Sequence, residues 1–145
     1  MIHRDRLWTW FLPDTPREPD MAQWRRHGGK WIVFHRKAHV EALARALLPL
    51  IEDGEIACAK IWNGDPSALC VYCLDSRREE VRRHLARLGA TRRLVWEYDH
   101  AWDRNLRRPA AFVYSWFSKF RTILQSYGLR GTFRLLREVL KEGKP

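Results

Sequence analysis

Ile56-Ala-Cys-Ala-Lys-Ile-Trp62, Asn63-Gly-Asp-Pro66 and Ala68-Leu-Cys-Val-Tyr-Cys-Leu74 form the stretch on which the fold turns. Two runs rich in aromatic and β-branched residues flank a cluster of turn-forming residues, so the stretch predicts a β-hairpin. Upstream, Val40, Leu43, Ala44, Leu47, Leu48 and Ile51 recur at three- and four-residue spacing, which predicts an amphipathic helix over 39–51 closed by Asp53-Gly54. Before it, Gly28-Gly29 frees the backbone and Lys30-Trp-Ile-Val-Phe-His35 reads as a strand. Downstream, Asp75 or Ser76 can cap a helix over 77–88 that Gly89 ends, and Leu94 to Tyr98 reads as a further strand.

Strand, helix, strand, strand, helix, strand is the split βαβ arrangement, an α+β fold with an antiparallel sheet, helices packed on one face and the other face open. Further out, Leu7 to Phe11 is a short strand candidate, broken by Pro13, Pro16 and Pro19, with one helical turn around Met21 to Trp24. Beyond Pro109 a helix is expected from the run Ala111 to Phe117 as far as Tyr127, where Gly128 breaks it. Thr132 can cap a last helix with an apolar stripe of Phe133, Leu136, Val139 and Leu140. The expectation is a single domain over 1–145, with a sheet-and-helix core over 28–100 and a C-terminal helical extension over 111–145.

A chain of 145 residues suffices for a core without disulfides, and 46% hydrophobic against 30% charged residues excludes a disordered chain. Cys58, Cys70 and Cys73 cannot all pair, and Cys70 and Cys73 point to opposite faces of one strand, so they are expected as buried free thiols. No apolar run approaches the roughly 20 residues of a membrane span, and the N-terminus lacks a signal-peptide centre; a cytoplasmic protein with no membrane partner is expected. Of the net charge of +10, residues 101–145 contribute +7 (10 Lys+Arg against 3 Asp+Glu) and residues 1–100 only +3 (17 against 14), so the basic end is the last third. Such a field attracts phosphates, nucleic acid or an acidic protein surface.

Strand parity places Lys30 on one face with Ile32 and Phe34, and Lys60 on one face with Cys58 and Trp62. A lysine in the middle of an apolar strand is costly unless it is paired or reaches water. Lys60 therefore has two accounts. Either it lines the open face, reaching solvent or pairing with Glu97 or Asp99, or it is a cleft-facing amine with a lowered pKa that acts as a general base or an anion contact. At the end of the last strand, His100 is placed to move a proton, and Arg104, Arg107 and Arg108 offer forks suited to bidentate phosphate contact. Trp8, Trp10, Trp31 and Trp62, among eight tryptophans, are candidate stacking platforms for a base, with Trp31 and Trp62 put first.

Gly28-Gly-Lys-Trp-Ile-Val-Phe34, Glu52-Asp-Gly-Glu-Ile-Ala-Cys-Ala-Lys-Ile61 and Leu69-Cys-Val-Tyr-Cys-Leu-Asp75 resemble the phosphothreonine lyase domain family, also called the basophilic-leukaemia-expressed protein family. The resemblance covers roughly residues 28–100. It implies a fold similar to the cap-binding translation initiation factor, a curved antiparallel sheet backed by helices. It also implies metal-free and cofactor-free β-elimination of phosphate from phosphothreonine, with Lys60 as base, Lys30 polarising the substrate, and Arg104, Arg107 or Arg108 clamping the phosphate. The family's effector lyases carry an acid histidine two residues after the first lysine, where this chain has Ile32; His35 has the wrong parity, and His100 would have to act from a loop. General acid catalysis contributes about a hundred- to ten-thousand-fold, so its loss argues against an efficient enzyme.

The expectation that follows is a protein that binds an anionic ligand, phosphopeptide or nucleic acid in a basic cleft on the open sheet face. Lyase-like β-elimination is the first alternative. A protein-interaction adaptor using the basic C-terminal helices is the second. No oligomeric state follows from the sequence.

Overall fold

The computed structural model describes residues 1–18, 20–90, 94–100 and 109–142. Six strands form one antiparallel sheet: β1 (Ile2–Arg4), β2 (Trp8–Phe11), β3 (Gly28–His35), β4 (Cys58–Trp62), β5 (Ser67–Leu74) and β6 (Leu94–Tyr98), in the spatial order β1-β2-β4-β5-β3-β6. The β4-β5-β3-β6 part is the split βαβ unit, with β5 inserted between the two strands that a crossover helix joins. The hairpin closes with Ala59 opposite Val71 and Ile61 opposite Leu69. The β1-β2 hairpin extends the β4 edge, with Trp10 beside Lys60 and Trp8 beside Trp62. The second half of it matches the strand expected at 7–11; β1 was not expected, because its three residues Ile-His-Arg are too few to show an alternating pattern, and all are exposed.

Four helices belong to this frame: α1 (Met21–His27), α2 (Lys37–Ala46), α3 (Leu48–Glu52) and α4 (Arg78–Arg87). The expected helix over 39–51 is divided at Leu47, since Pro49 is accommodated only in the first turn of a new helix. Around Met21 the single expected turn is a seven-residue helix, because the Asp20 carboxylate accepts the amides of Ala22 and Gln23 at 2.9 and 3.0 Å. Asp75 does not cap α4. It lies in a 3₁₀ turn over Asp75–Arg77 and faces His27 at 3.3 Å.

The main core lies between the sheet and the helices α2 and α4. Strand alternation sends Phe11, Val33, Ile61, Leu69 and Val71 into it, where they meet Val40, Leu43 and Leu47 of α2 and Val81 and Leu85 of α4. Truncating such a side chain, Leu47→Ala for instance, costs about 2–5 kcal/mol. Gly29 is part of this packing, since a Cβ there would lie 2.5 Å from the Trp96 ring.

The opposite face carries a smaller cluster of Ile32, Phe34, Ala68, Cys70, Tyr72 and Val95. Part of it is spanned by α5 (Pro109–Glu142), which contacts β3, β5 and β6. The face left open by the sequence reading is thus open only towards β2 and β4. Gly128 interrupts α5 as expected, with φ 65° and ψ 178°. Thr132 does not cap a new helix there; it is buried and its hydroxyl donates to the Gly128 carbonyl at 2.7 Å.

Candidate functional site

Pairing brings six strand side chains together at one end of the second face, all of one parity. Lys60 on β4 lies opposite Cys70 on β5 and Trp10 on β2, while Tyr72 on β5 lies opposite both Cys58 on β4 and Lys30 on β3. Because all six positions share that parity, both lysines emerge on the same side of the sheet, as strand alternation requires. Over them lies a cavity of about 850 Å³, bounded by Pro13 and Pro16 after β2, Met21 and Trp24 of α1, and the residues Asp99 and His100 that follow β6. That is the volume of a small-molecule site and too small for a nucleic-acid duplex.

The two lysines meet opposite fates. Lys30 donates to the Asp99 carboxylate at 2.6 Å, and both side chains are largely shielded. Trp24 adds an indole contact to the same carboxylate at 3.4 Å. Desolvation alone would raise the Asp99 pKa, but the hydrogen bond and charge of Lys30 outweigh it, helped by Trp24 and His100, and hold it below 3.8.

Lys60 has no carboxylate within ion-pair distance among the described residues. Its ammonium sits 4.4 Å from the Trp8 ring centre, 4.5 Å from Trp10 and 5.5 Å from Tyr72. Trp10 is held by a hydrogen bond from its indole N–H to Asp5 at 3.0 Å, and Trp8 by edge packing on Trp62. Burial lowers the Lys60 pKa below 10.5, and the charge of Lys30 works in the same direction against Asp99. The ring faces favour the ammonium and offset part of that desolvation. The result is a cation held by rings, with its electrostatic demand met by no anion within ion-pair distance among the described residues.

The thiols near this site are protonated. Burial pushes Cys58 up to about 11 and raises Cys70, and it raises the Tyr72 phenol as well. On the helix-packed face, Cys73 is pushed up to about 12 by burial. The three cysteines are free, as expected.

His100, half-exposed, lines the cleft with its imidazole 4.0 Å from Asp99. The structure therefore brings Lys30, Lys60 and His100 to one cavity. Arg104, Arg107 and Arg108 lie outside the described residues. The described guanidinium groups at the rim are Arg17, bonded to the Glu52 carbonyl, and Arg77, paired with Glu80 at 2.9 Å.

Of the candidate stacking tryptophans, Trp31 and Trp62 are not placed for that role. Trp31 points to the helix side, is 5% exposed, and donates its indole N–H to the Arg78 carbonyl at 2.9 Å. Trp62 is on the correct face but is covered by Trp8 and Tyr127 and is 7% exposed. Of the expected platforms Trp10 lines the cleft, where Trp24 and Tyr72 join it. Alternation in Trp8-Thr-Trp10 was the available signal, since it puts both indoles on one face; the pairing of that strand with β4 was not legible.

No known protein-family profile matches the chain, and comparison with curated proteins returns no significant relative. The fold and cleft define an α+β protein with a ligand-sized cavity at the end of an antiparallel sheet.

Proposed function

We propose that the protein binds a phosphate-bearing ligand of small-molecule size, a nucleotide or a phosphorylated side chain, in the cleft over β4 and β5. The observation that carries this reading is Lys60: a shielded ammonium facing the cavity among Trp8, Trp10 and Tyr72, without a carboxylate partner among the described residues. An incoming phosphate would supply the missing counter-charge in a low-dielectric setting, where a charge-assisted hydrogen bond is strong. Trp10 and Trp24 flank the same space and suit a planar group attached to that phosphate.

The test is calorimetric titration of the wild type and Lys60→Gln with inorganic phosphate, a nucleoside monophosphate and a phosphothreonine peptide. Binding that weakens steeply with salt and is lost in Lys60→Gln is expected. Equal affinity of the two proteins, or no heat with any of the three probes, would overturn the reading.

A second reading, β-elimination, is favoured by the meeting of Lys30, Lys60 and His100 in one cavity. In it the neutral Lys60 amine takes the substrate α-proton, the Cα=Cβ bond forms, and the Cβ–O bond breaks to release phosphate. It ranks second for two reasons. The aromatic rings around Lys60 favour the ammonium, which cannot act as a base. Lys30 is neutralised by Asp99, and the strand position two residues beyond it is the fully buried Ile32. Mass spectrometry of a phosphothreonine peptide after incubation decides it: an unchanged peptide mass ends this reading.

A further inference from the structure

Helix α5 is packed inside out. Over its first half the buried side chains, among those described, are polar: Ser115 is fully buried and Thr122 is 8% exposed, while Lys119, Ile123, Leu124 and Ser126 are partly covered. The polar ones are fixed there. Ser115 and Lys119 both donate to the buried Glu97 carboxylate of β6, Lys119 at 2.7 and 2.9 Å, and Ser126 donates to the Pro66 carbonyl at 2.9 Å. The apolar positions at three- and four-residue spacing therefore face outward: Val113 is 61% exposed, Trp116 61%, Phe117 58% and Phe120 39%. A helix normally buries such a stripe. This one cannot rotate to do so without breaking the Glu97 contacts, so the stripe forms a convex aromatic ridge on the outside of the molecule.

The charges along α5 have one sign as far as residue 137. Between residues 109 and 137 the chain has no Asp or Glu and five basic residues; Lys119 is answered by Glu97, which leaves Arg121, Arg130, Arg134 and Arg137. Beside the ridge, a cavity of about 570 Å³ brings Arg36 and Arg121 next to Tyr114 and Phe117.

We propose that this ridge docks the protein on the surface of an anionic lipid bilayer. Trp, Tyr and Phe with flanking Lys and Arg are the side chains that settle at the boundary of headgroups and acyl chains, and basic groups are drawn to anionic headgroups. The helix would lie on the membrane; no described helix is long and apolar enough to cross one. The expectation of no membrane partner considered only the length of apolar runs, which is blind to a ridge of this kind. A second copy fits less well: an antiparallel pairing centred on Phe120 brings the Arg121 side chains of the two copies nearly to one level, like charge against like. The proposal is independent of the cleft.

Vesicle co-sedimentation of the full chain tests it, with phosphatidylcholine vesicles lacking or containing phosphatidylserine. Binding only to the anionic vesicles, weakened by salt and reduced about tenfold or more by Phe117→Glu and by Arg130→Glu/Arg134→Glu, is expected. Lys60→Gln should leave it unchanged. Phe117, Arg130 and Arg134 are exposed, so circular dichroism should report a folded chain for their variants. No sedimentation with anionic vesicles, or binding indifferent to Phe117→Glu, would overturn the proposal. So would a stable dimer in analytical ultracentrifugation that Phe117→Glu dissociates, which would assign the ridge to self-association.

Discussion

The two halves of the second sheet face solve the same problem in different ways. Towards β3 and β6 each lysine finds a carboxylate: Lys30 takes Asp99 and Lys119 takes Glu97, and the latter contact fastens α5 to the sheet. Towards β2 and β4, Lys60 finds only rings among the described residues. A paired lysine is spent on the fold, since its charge is already answered. A lysine held by π-faces keeps its charge available, and the cleft opens above it. The difference separates scaffold from candidate site on one continuous surface.

The largest expected effect breaks the paired half. Lys119→Met leaves the Glu97 carboxylate buried without its cation and should cost about 2 kcal/mol in urea unfolding, at the lower end for such pairs because Lys119 is partly exposed. Replacing both partners, Glu97→Leu with Lys119→Met, should recover most of that loss. Next comes Lys60→Gln, expected to weaken phosphate-ligand affinity by at least about tenfold in calorimetry, roughly 1.4 kcal/mol. Its stability should not fall at neutral pH, because the variant no longer desolvates a charge. Linkage gives the sign: the folded-state pKa of Lys60 is lowered, so the unfolded chain binds more protons, and wild-type stability should rise as pH climbs from that lowered pKa to 10.5. Lys60→Gln should lack this rise.

Asp99→Asn sharpens the comparison by making Lys30 resemble Lys60. About 1 kcal/mol of stability should be lost at neutral pH, while phosphate affinity increases several-fold. Asp99 has a depressed folded-state pKa, so its contribution is present above 3.8 and disappears as pH falls through the depressed value; acid unfolding curves of Asp99→Asn should lack that component. The smallest effect is expected for Trp10→Leu, about 0.5 kcal/mol of stability from one lost cation–π contact, measured by denaturation.

Much of the sheet was legible because its strands are runs of β-branched and aromatic residues with clear breaks. Leu94–Tyr98 and the hairpin emerge at nearly their expected bounds, and parity alone puts Lys30 and Lys60 on one face. What parity does not carry is partnership across strands. The choice of Asp99 by Lys30, of Glu97 by Lys119 and of two indoles by Lys60 depends on the sheet order and on where β2 adds to it. Trp31 misled for a related reason: an aromatic on a strand belongs to a core or a cleft according to which face the helices cover. The outward turn of α5 was illegible altogether. An apolar stripe in sequence predicts burial, and only the competing polar contacts of Ser115 and Lys119 invert it.

Cys58 offers a consequence of a practical kind. With its thiol near 11, only about one molecule in ten thousand carries the thiolate at neutral pH, so alkylating and oxidising reagents should react with it slowly. Yet it lies in the cleft wall two residues from Lys60. Its labelling rate at alkaline pH is therefore a built-in occupancy gauge, able to register a guest that carries no chromophore.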